Sequence, residues 1–197
     1  DQVTASWHKG FVKRMENYSS SYTHLMLKKM KQITEAAYID GIHTNLFYQS
    51  NKFLTTVNVS DKIFLNNDEL NMLYDGLNEM SDVHRNATII FLIGAYTGQR
   101  YGTYSNIDKK MVLYKGNKKM ISIRQLEKTE ARVTIPVSDK LMTLLDMEYH
   151  KISLQKLNTY IKEACKIVGI KDWEKVTSHT ARRSFATNAV LAGIDMH

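Results

Sequence analysis

The 197-residue sequence has one cysteine, one proline, nine glycines and no long hydrophobic run. A lone Cys165 cannot close an internal disulfide, and no Cys/His cluster has zinc-ligand spacing, so a reducing compartment is the natural setting. With Pro136 the only proline and few glycines, helix breakers are scarce and long helices are favoured. The longest apolar stretch, Ala87 to Tyr96, is about half of the ~20 residues a bilayer span requires, and no signal peptide precedes it. No internal repeat or low-complexity segment is present. What the chain does have is 43% hydrophobic and 10% aromatic residues, enough to build a core.

Positive charge is in surplus, at +7 with a pI near 9.3. Its distribution is uneven. Residues 61–99 are net acidic, whereas residues 100–136 carry Arg100, Lys109, Lys110, Lys115, Lys118, Lys119, Arg124, Lys128 and Arg132 against Asp108, Glu127 and Glu130. A concentrated positive stretch attracts polyanions and releases their counterions on binding, so nucleic acid is the first partner to consider. A solvated lysine-rich face would show the same excess.

Periodicity places helices over 3–16 and 21–39, the second carrying Leu25, Met26, Met30, Ile33 and Ala37 at helical spacing and stopped by Gly41. Residues 52–59 read as an extended linker. Asn66 with Glu69 forms a capping-box pattern that starts a helix running to about Glu79. Residues 85–96 are apolar on every face, as in a buried central helix. The period then changes: 111–114, 119–125 and 132–137 are strand-like, separated by Lys115-Gly116-Asn117-Lys118 and by residues 126–131, which predicts a small antiparallel meander. Helices return over 139–147, 153–168 and 180–191. The fold class is therefore α+β, mainly helical with a small three-stranded antiparallel sheet.

Three local features carry chemistry together. Thr97-Gly98-Gln99-Arg100 is a glycine turn that ends a buried helix and projects an arginine. Glu127-Lys128-Thr129-Glu130 puts a lysine at a hairpin tip. His179-Thr180-Ala181-Arg182 places an imidazole and a guanidinium side by side on the first turn of a helix. Two arginines, a lysine and a histidine without a carboxylate pair suit the handling of a phosphodiester. Guanidinium groups grip phosphate oxygens bidentately and neutralise charge in the transition state, lysine can protonate a leaving oxygen, and histidine can accept a proton. Taken singly, each has an ordinary alternative: Arg100 as a helix cap, Lys128 as one of many hairpin cations, His179 as a helix-terminal residue bonded to the backbone.

In this order the residues resemble the tyrosine recombinase (phage integrase) family. The matching pieces are Ala95-Tyr96-Thr97-Gly98-Gln99-Arg100, Lys128, and Ser178-His179-Thr180-Ala181-Arg182-Arg183-Ser184-Phe185-Ala186-Thr187, with Ala192-Gly193-Ile194-Asp195 downstream and residues 64–70 upstream. The flavour is similar to mobile-element integrases of Bacteroides-like bacteria. The resemblance implies a catalytic domain over 60–197 and, over 1–59, helices of a partial core-binding domain with its linker. It implies catalytic roles for Arg100, Lys128, His179 and Arg182, with Arg100 and Arg182 clamping the scissile phosphate, Lys128 protonating the 5′-oxygen and His179 handling the nucleophile's proton. It further implies DNA contacts by Lys28, Lys31, Arg124, Arg132 and Arg183, a double-stranded DNA partner, a homotetramer on two sites, no cofactor or metal, and a cytoplasmic, nucleoid-associated location away from membranes.

Two departures stand out. The family's usual acidic residue three places after the first arginine is Thr103 here. The nucleophilic tyrosine and second His or Trp normally follow the His-x-x-Arg box, and the sequence ends at His197; together with a start at Asp1, that reads as a chain trimmed at both ends, without the nucleophile. Tyr160, ahead of the box, reads as core of its own helix. A DNA-binding regulator that has lost catalysis, a type IB topoisomerase and a basic interaction module are the competing readings.

Overall fold

The computed structural model describes residues 3–57, 62–124 and 132–194, with the side chain of Arg124 excluded. Two compact units divide the chain, Asp1–Asp61 and Lys62–His197.

The first unit contains α1 (Ala5–Arg14) and α2 (Ser20–Ile39), capped by Thr4 and Ser19, whose hydroxyls accept the Trp7 and Tyr22 N–H groups. Gly41, at φ +71°, turns the chain out of α2. A small core of Leu27, Tyr48 and Phe53 holds the unit together, with His8 Nε2 hydrogen-bonded to Phe53 O at 2.8 Å. Two sequence expectations are corrected here. Phe53 is fully buried, so the start of the 52–59 segment belongs to this core and is not merely a linker. On α2 the buried positions are Thr23, Leu27 and Thr34, while Leu25 and Ile33 face outward at 46% and 70% exposure. So small a unit can cover only one stripe of a long helix, and α1 with the 47–54 segment selects the stripe containing Leu27.

The second unit begins with an extended strap, residues 62–66, and α3 (Asn67–Asp75). Its capping box forms as the sequence indicates: Asn66 Oδ1 accepts Glu69 N–H and Glu69 Oε2 accepts Asn66 N–H, both at 2.9 Å. A short 3-10 turn, Gly76–Glu79, completes the segment expected to be helical. The buried axis is α4 (Asp82–Thr97), in which residues 86–95 and Thr97 are all buried. After it come a single turn, α5 (Tyr101–Tyr104), then β1 (Val112–Lys115), β2 (Lys118–Arg124) and β3 (Arg132–Pro136). The sheet is antiparallel in the order β1-β2-β3, and pairing of Lys115 with Lys118 leaves Gly116-Asn117 as a two-residue turn. Three helices close the unit: α6 (Asp139–Asp146), α7 (Leu154–Ile167) and α8 (Ser178–Leu191).

The unit's core gathers α4 against α3, α6, α7 and α8, with Ile121 of β2 also fully buried. Tyr160 packs partly buried against this core, its ring edge-on to His84. His84 itself ties α4 to α7: Ser81 hydroxyl and Glu163 carboxylate each lie 2.7 Å from one of its ring nitrogens. Part of the basic surplus is neutralised locally, since Lys109 pairs with Asp146 and Lys119 with Asp139. Among the described residues no helix is long and apolar enough to cross a membrane.

Candidate active site

The turn between α4 and α5 is built by Gly98. It caps α4 in the left-handed region, at φ +66°, and its N–H donates to Gly94 O at 2.9 Å. A side chain there would be strained, and a Cβ would also stand 2.4 Å from the ring of Phe185 on α8. The turn is thus seated directly on α8. Arg182, one helical turn before that ring, reaches back and donates from Nη1 to Gly98 O at 2.8 Å. The two parts of the sequence that carry the candidate arginines are therefore fastened together. Arg100 follows two residues later as the N-cap of α5 and is exposed. Arg182 is half-buried, and among the described residues the bond to Gly98 O is its one hydrogen bond.

The other end of α5 is fixed too. The Tyr104 ring packs on Gly94, where a Cβ would fall 2.8 Å from it, and its hydroxyl donates to Ser178 O at 3.2 Å. The first turn of α8 is capped by Thr177 and Thr180, and Asn158 Oδ1 on α7 accepts Ser178 N–H at 2.7 Å. His179 is exposed on that turn, anchored by its neighbours on both sides.

His179 has its pKa held below the ordinary 6.5 by partial desolvation, then by the positive charges of Arg183, Arg182, Lys62 and Arg100. The imidazole is accordingly neutral at pH 7 and able to accept a proton. Among the described residues neither Arg100 nor Arg182 makes a salt bridge with a carboxylate. Protonation would add a further charge to this cluster, so an NMR titration is expected to give His179 a midpoint below 6.5. Because the unfolded chain binds that proton more readily, the stability tied to His179 is present above about pH 6.5 and lost as pH falls through the depressed value. Added inorganic phosphate should move the midpoint upward; a midpoint at or above the ordinary value without ligand would contradict the geometry.

A cleft of about 290 Å³ opens beside the cluster, between the Gly98 turn, residues 133–136 of β3, and Arg182, Phe185 and Ala186 of α8. Its walls bring the sheet, the turn and the helix to one place. A second cleft, of about 480 Å³ and lined by Asp82, Arg85, Asn86, Glu148 and His150, contains none of the candidate residues. No group of three His, Cys, Asp or Glu side chains with metal-holding geometry occurs among the described residues.

Of the sequence-derived candidates, Arg100, His179 and Arg182 come together, while Lys128 lies outside the described residues. Arg183 also borders the cluster, but its Nη1 is engaged by Ile63 O at 2.6 Å. Arg132 is exposed at the start of β3, in register with Arg124. Lys28 is exposed and Lys31 half-buried on α2 of the first unit. Thr103, at the usual acidic position, sits inside the α5 turn with its N–H on Arg100 O at 2.9 Å. Sequence reasoning missed Phe185 as the seat of the Gly98 turn and Lys62 as a neighbour of His179. An invariant-looking spacing cannot reveal either, because both are long-range contacts.

No family model and no curated protein matches the sequence. Solved structures do. The Tn1549 transposon integrase in complex with circular intermediate DNA aligns with TM-score 0.73 and 13% identity over 100% of this chain and 75% of that one. The XerH site-specific recombinase, in a post-cleavage complex with a palindromic difH substrate, aligns with TM-score 0.68 and 17% identity over 96% of this chain and 62% of that one. A lambda integrase dimer bound to a COC′ core site gives TM-score 0.65 and 17% identity over 98% and 77%. The chain therefore spans about three fifths to three quarters of the length of these neighbours. At such identities the likeness is one of architecture, and what it establishes is that this chain shares the fold of these recombinase and integrase structures.

Proposed function

We propose that the second unit is the phosphate-handling domain of a site-specific DNA recombinase, acting by strand cleavage and rejoining through a 3′-phosphotyrosyl link. The observation that carries this reading is the convergence of Arg100, Arg182 and a neutral-leaning His179 with no carboxylate partner among the described residues. Two guanidinium groups, one on the Gly98 turn and one on α8 bonded to that turn, neutralise the equatorial oxygens of a phosphorane-like transition state. His179 accepts or steers the proton of the attacking phenol, and Lys128 delivers one to the departing 5′-oxygen. The bond to phosphorus is exchanged between two oxygens, so the strand's energy is retained and no nucleotide is consumed.

The phenols of α5 are engaged, Tyr101 donating to Ile152 O and Tyr104 to Ser178 O, and the Tyr96 hydroxyl at the end of α4 is buried without a hydrogen-bond partner among the described residues, its pKa pushed up to about 12 by burial. We assign the attack to a tyrosine outside this sequence. The first unit is read as part of a core-binding domain using Lys28 and Lys31, and the Arg124–Arg132 register pair as a further contact. Double-stranded DNA is the partner, and a tetramer on two sites is the assembly that such an exchange requires.

The test begins with duplex binding by this chain across a salt series. Affinity is expected to fall steeply, by a log–log slope of about −0.9 for each phosphate neutralised. A flat salt profile would remove DNA from the account. In a chain that also carries the tyrosine, a nicked suicide duplex should trap a covalent adduct; salt-dependent binding with no adduct would leave a DNA-binding regulator in place of the enzyme.

A further inference from the structure

The strap that opens the second unit runs alongside α8. Arg183 Nη1 donates to Ile63 O at 2.6 Å, Leu65 N–H donates to Ser184 Oγ at 2.8 Å, and Asn188 Nδ2 donates to Leu65 O at 3.0 Å. Ser184 Oγ in turn donates to Thr180 O at 2.8 Å, so it is held in its accepting orientation. Residue 63 lies against position 183, and residue 65 against 184 and 188. Strap and helix thus advance in the same direction, and Lys62, one step earlier, falls toward the turn that carries His179. The charge of Lys62 bears on His179 together with those of Arg182, Arg183 and Arg100. Lys62 is exposed, and among the described residues it forms no salt bridge.

We propose that Lys62 is a further phosphate-binding residue of this site, aimed by the Arg183–Ser184–Asn188 clamp at a DNA backbone phosphate beside His179. The inference rests on the phosphate-handling reading given above. A cation held near three arginines raises the energy of the empty site, and a bound phosphate reverses the sign of that contribution. Lysine suits the position because its ammonium is a compact point charge on a flexible stem, able to follow a phosphate whose bidentate contacts the arginines already supply. Arg183, Ser184 and Asn188 are positioning residues: each acts on the strap backbone, and through it on Lys62.

The experiment compares the chain with its Lys62→Ala and Arg182→Ala variants, using NMR titration of His179 and salt-dependent binding of a short duplex of arbitrary sequence. Since Lys62 is exposed and repelled by its neighbours, Lys62→Ala should not lower the thermal midpoint. It is expected to raise the His179 midpoint in the free protein, to weaken duplex binding several-fold, and to make the log–log salt slope shallower by about 0.9. A Lys62→Arg variant should retain the salt slope, as a merely structural role would not require. If Lys62→Ala leaves both the His179 midpoint and the slope unchanged, the proposal is overturned. Arg182→Ala separates the two claims: should it abolish the response of His179 to inorganic phosphate while Lys62→Ala does nothing, the phosphate site stands and only the role of Lys62 falls. Loss of neither response in Arg182→Ala would instead overturn the underlying reading.

Discussion

Gly98→Ala is expected to lower the stability of the second unit by about 2–5 kcal/mol, through two separable causes. A left-handed backbone at φ +66° costs an alanine roughly 1–2 kcal/mol. The new methyl must also displace the Phe185 ring, which a Cβ would meet at 2.4 Å, and overpacking of that kind costs about 1–3 kcal/mol. For a unit of this size the thermal midpoint should drop by roughly 5–15 °C. The causes separate in a double variant. Gly98→Ala with Phe185→Leu should recover the packing part and leave the backbone strain, so the midpoint returns only partway. Full recovery would show that the turn tolerates the alanine backbone and that the ring alone dictates glycine. No loss in the single variant would mean that α8 is not seated on the turn.

Arg182→Ala is expected to act chiefly on chemistry. Its Nη1 is held by Gly98 O, and in the proposed reading its remaining donors take the phosphate. Removing it leaves the buried Gly98 carbonyl without that donor, at about 1–3 kcal/mol. In a chain carrying the tyrosine, it should lower the cleavage rate by about 10²–10³-fold, the scale of losing one preorganised donor to a transition-state oxyanion. Arg182→Lys should restore little, because one ammonium cannot hold the carbonyl and two phosphate oxygens in a fixed fork. Lys115→Ala is the contrasting variant. Lys115 is exposed at the β1–β2 turn, and its loss should weaken duplex binding slightly without touching the cleavage step. Equal effects of Arg182→Ala and Lys115→Ala on cleavage would refute the assignment.

How far the sequence can be read depends on the range of the interactions that decide each feature. The capping box at Asn66 and Glu69, the glycine stops at Gly41 and Gly98, and the Gly116 hairpin are settled within four residues, and their signals are local. The α4 helix is legible because burial on all sides leaves an apolar run with no polar face. The one-turn α5 has no such signature: four residues cannot show a period, and it is held by Tyr104 reaching Gly94 and Ser178. On α2, apolar residues lie on more than one side, and only the packing of Phe53 and Tyr48 decides that Leu27 is inside and Ile33 outside. At the site, Arg100, His179 and Arg182 were visible through their order and spacing. What fastens Arg182 to Gly98, and what brings Lys62 near His179, is contact across 84 residues in one case and the strap on α8 in the other.

That strap also has a bearing on how the protein is made. The hydrogen bonds joining it to α8 span 119, 120 and 123 positions, linking the first segment of the second unit to the last of its described helices. Closing so large a loop carries an entropic cost before any contact rewards it, so this pairing belongs to the late steps of folding. On the ribosome, α3, α4 and the sheet emerge well before α8, and the face of α4 that α8 covers must wait for it. Neither the arginine pair nor the surroundings of His179 exist until then. Until α8 docks, a nascent chain carries its basic sheet without the cluster of Arg100, His179 and Arg182, which ties formation of the candidate site to synthesis through α8.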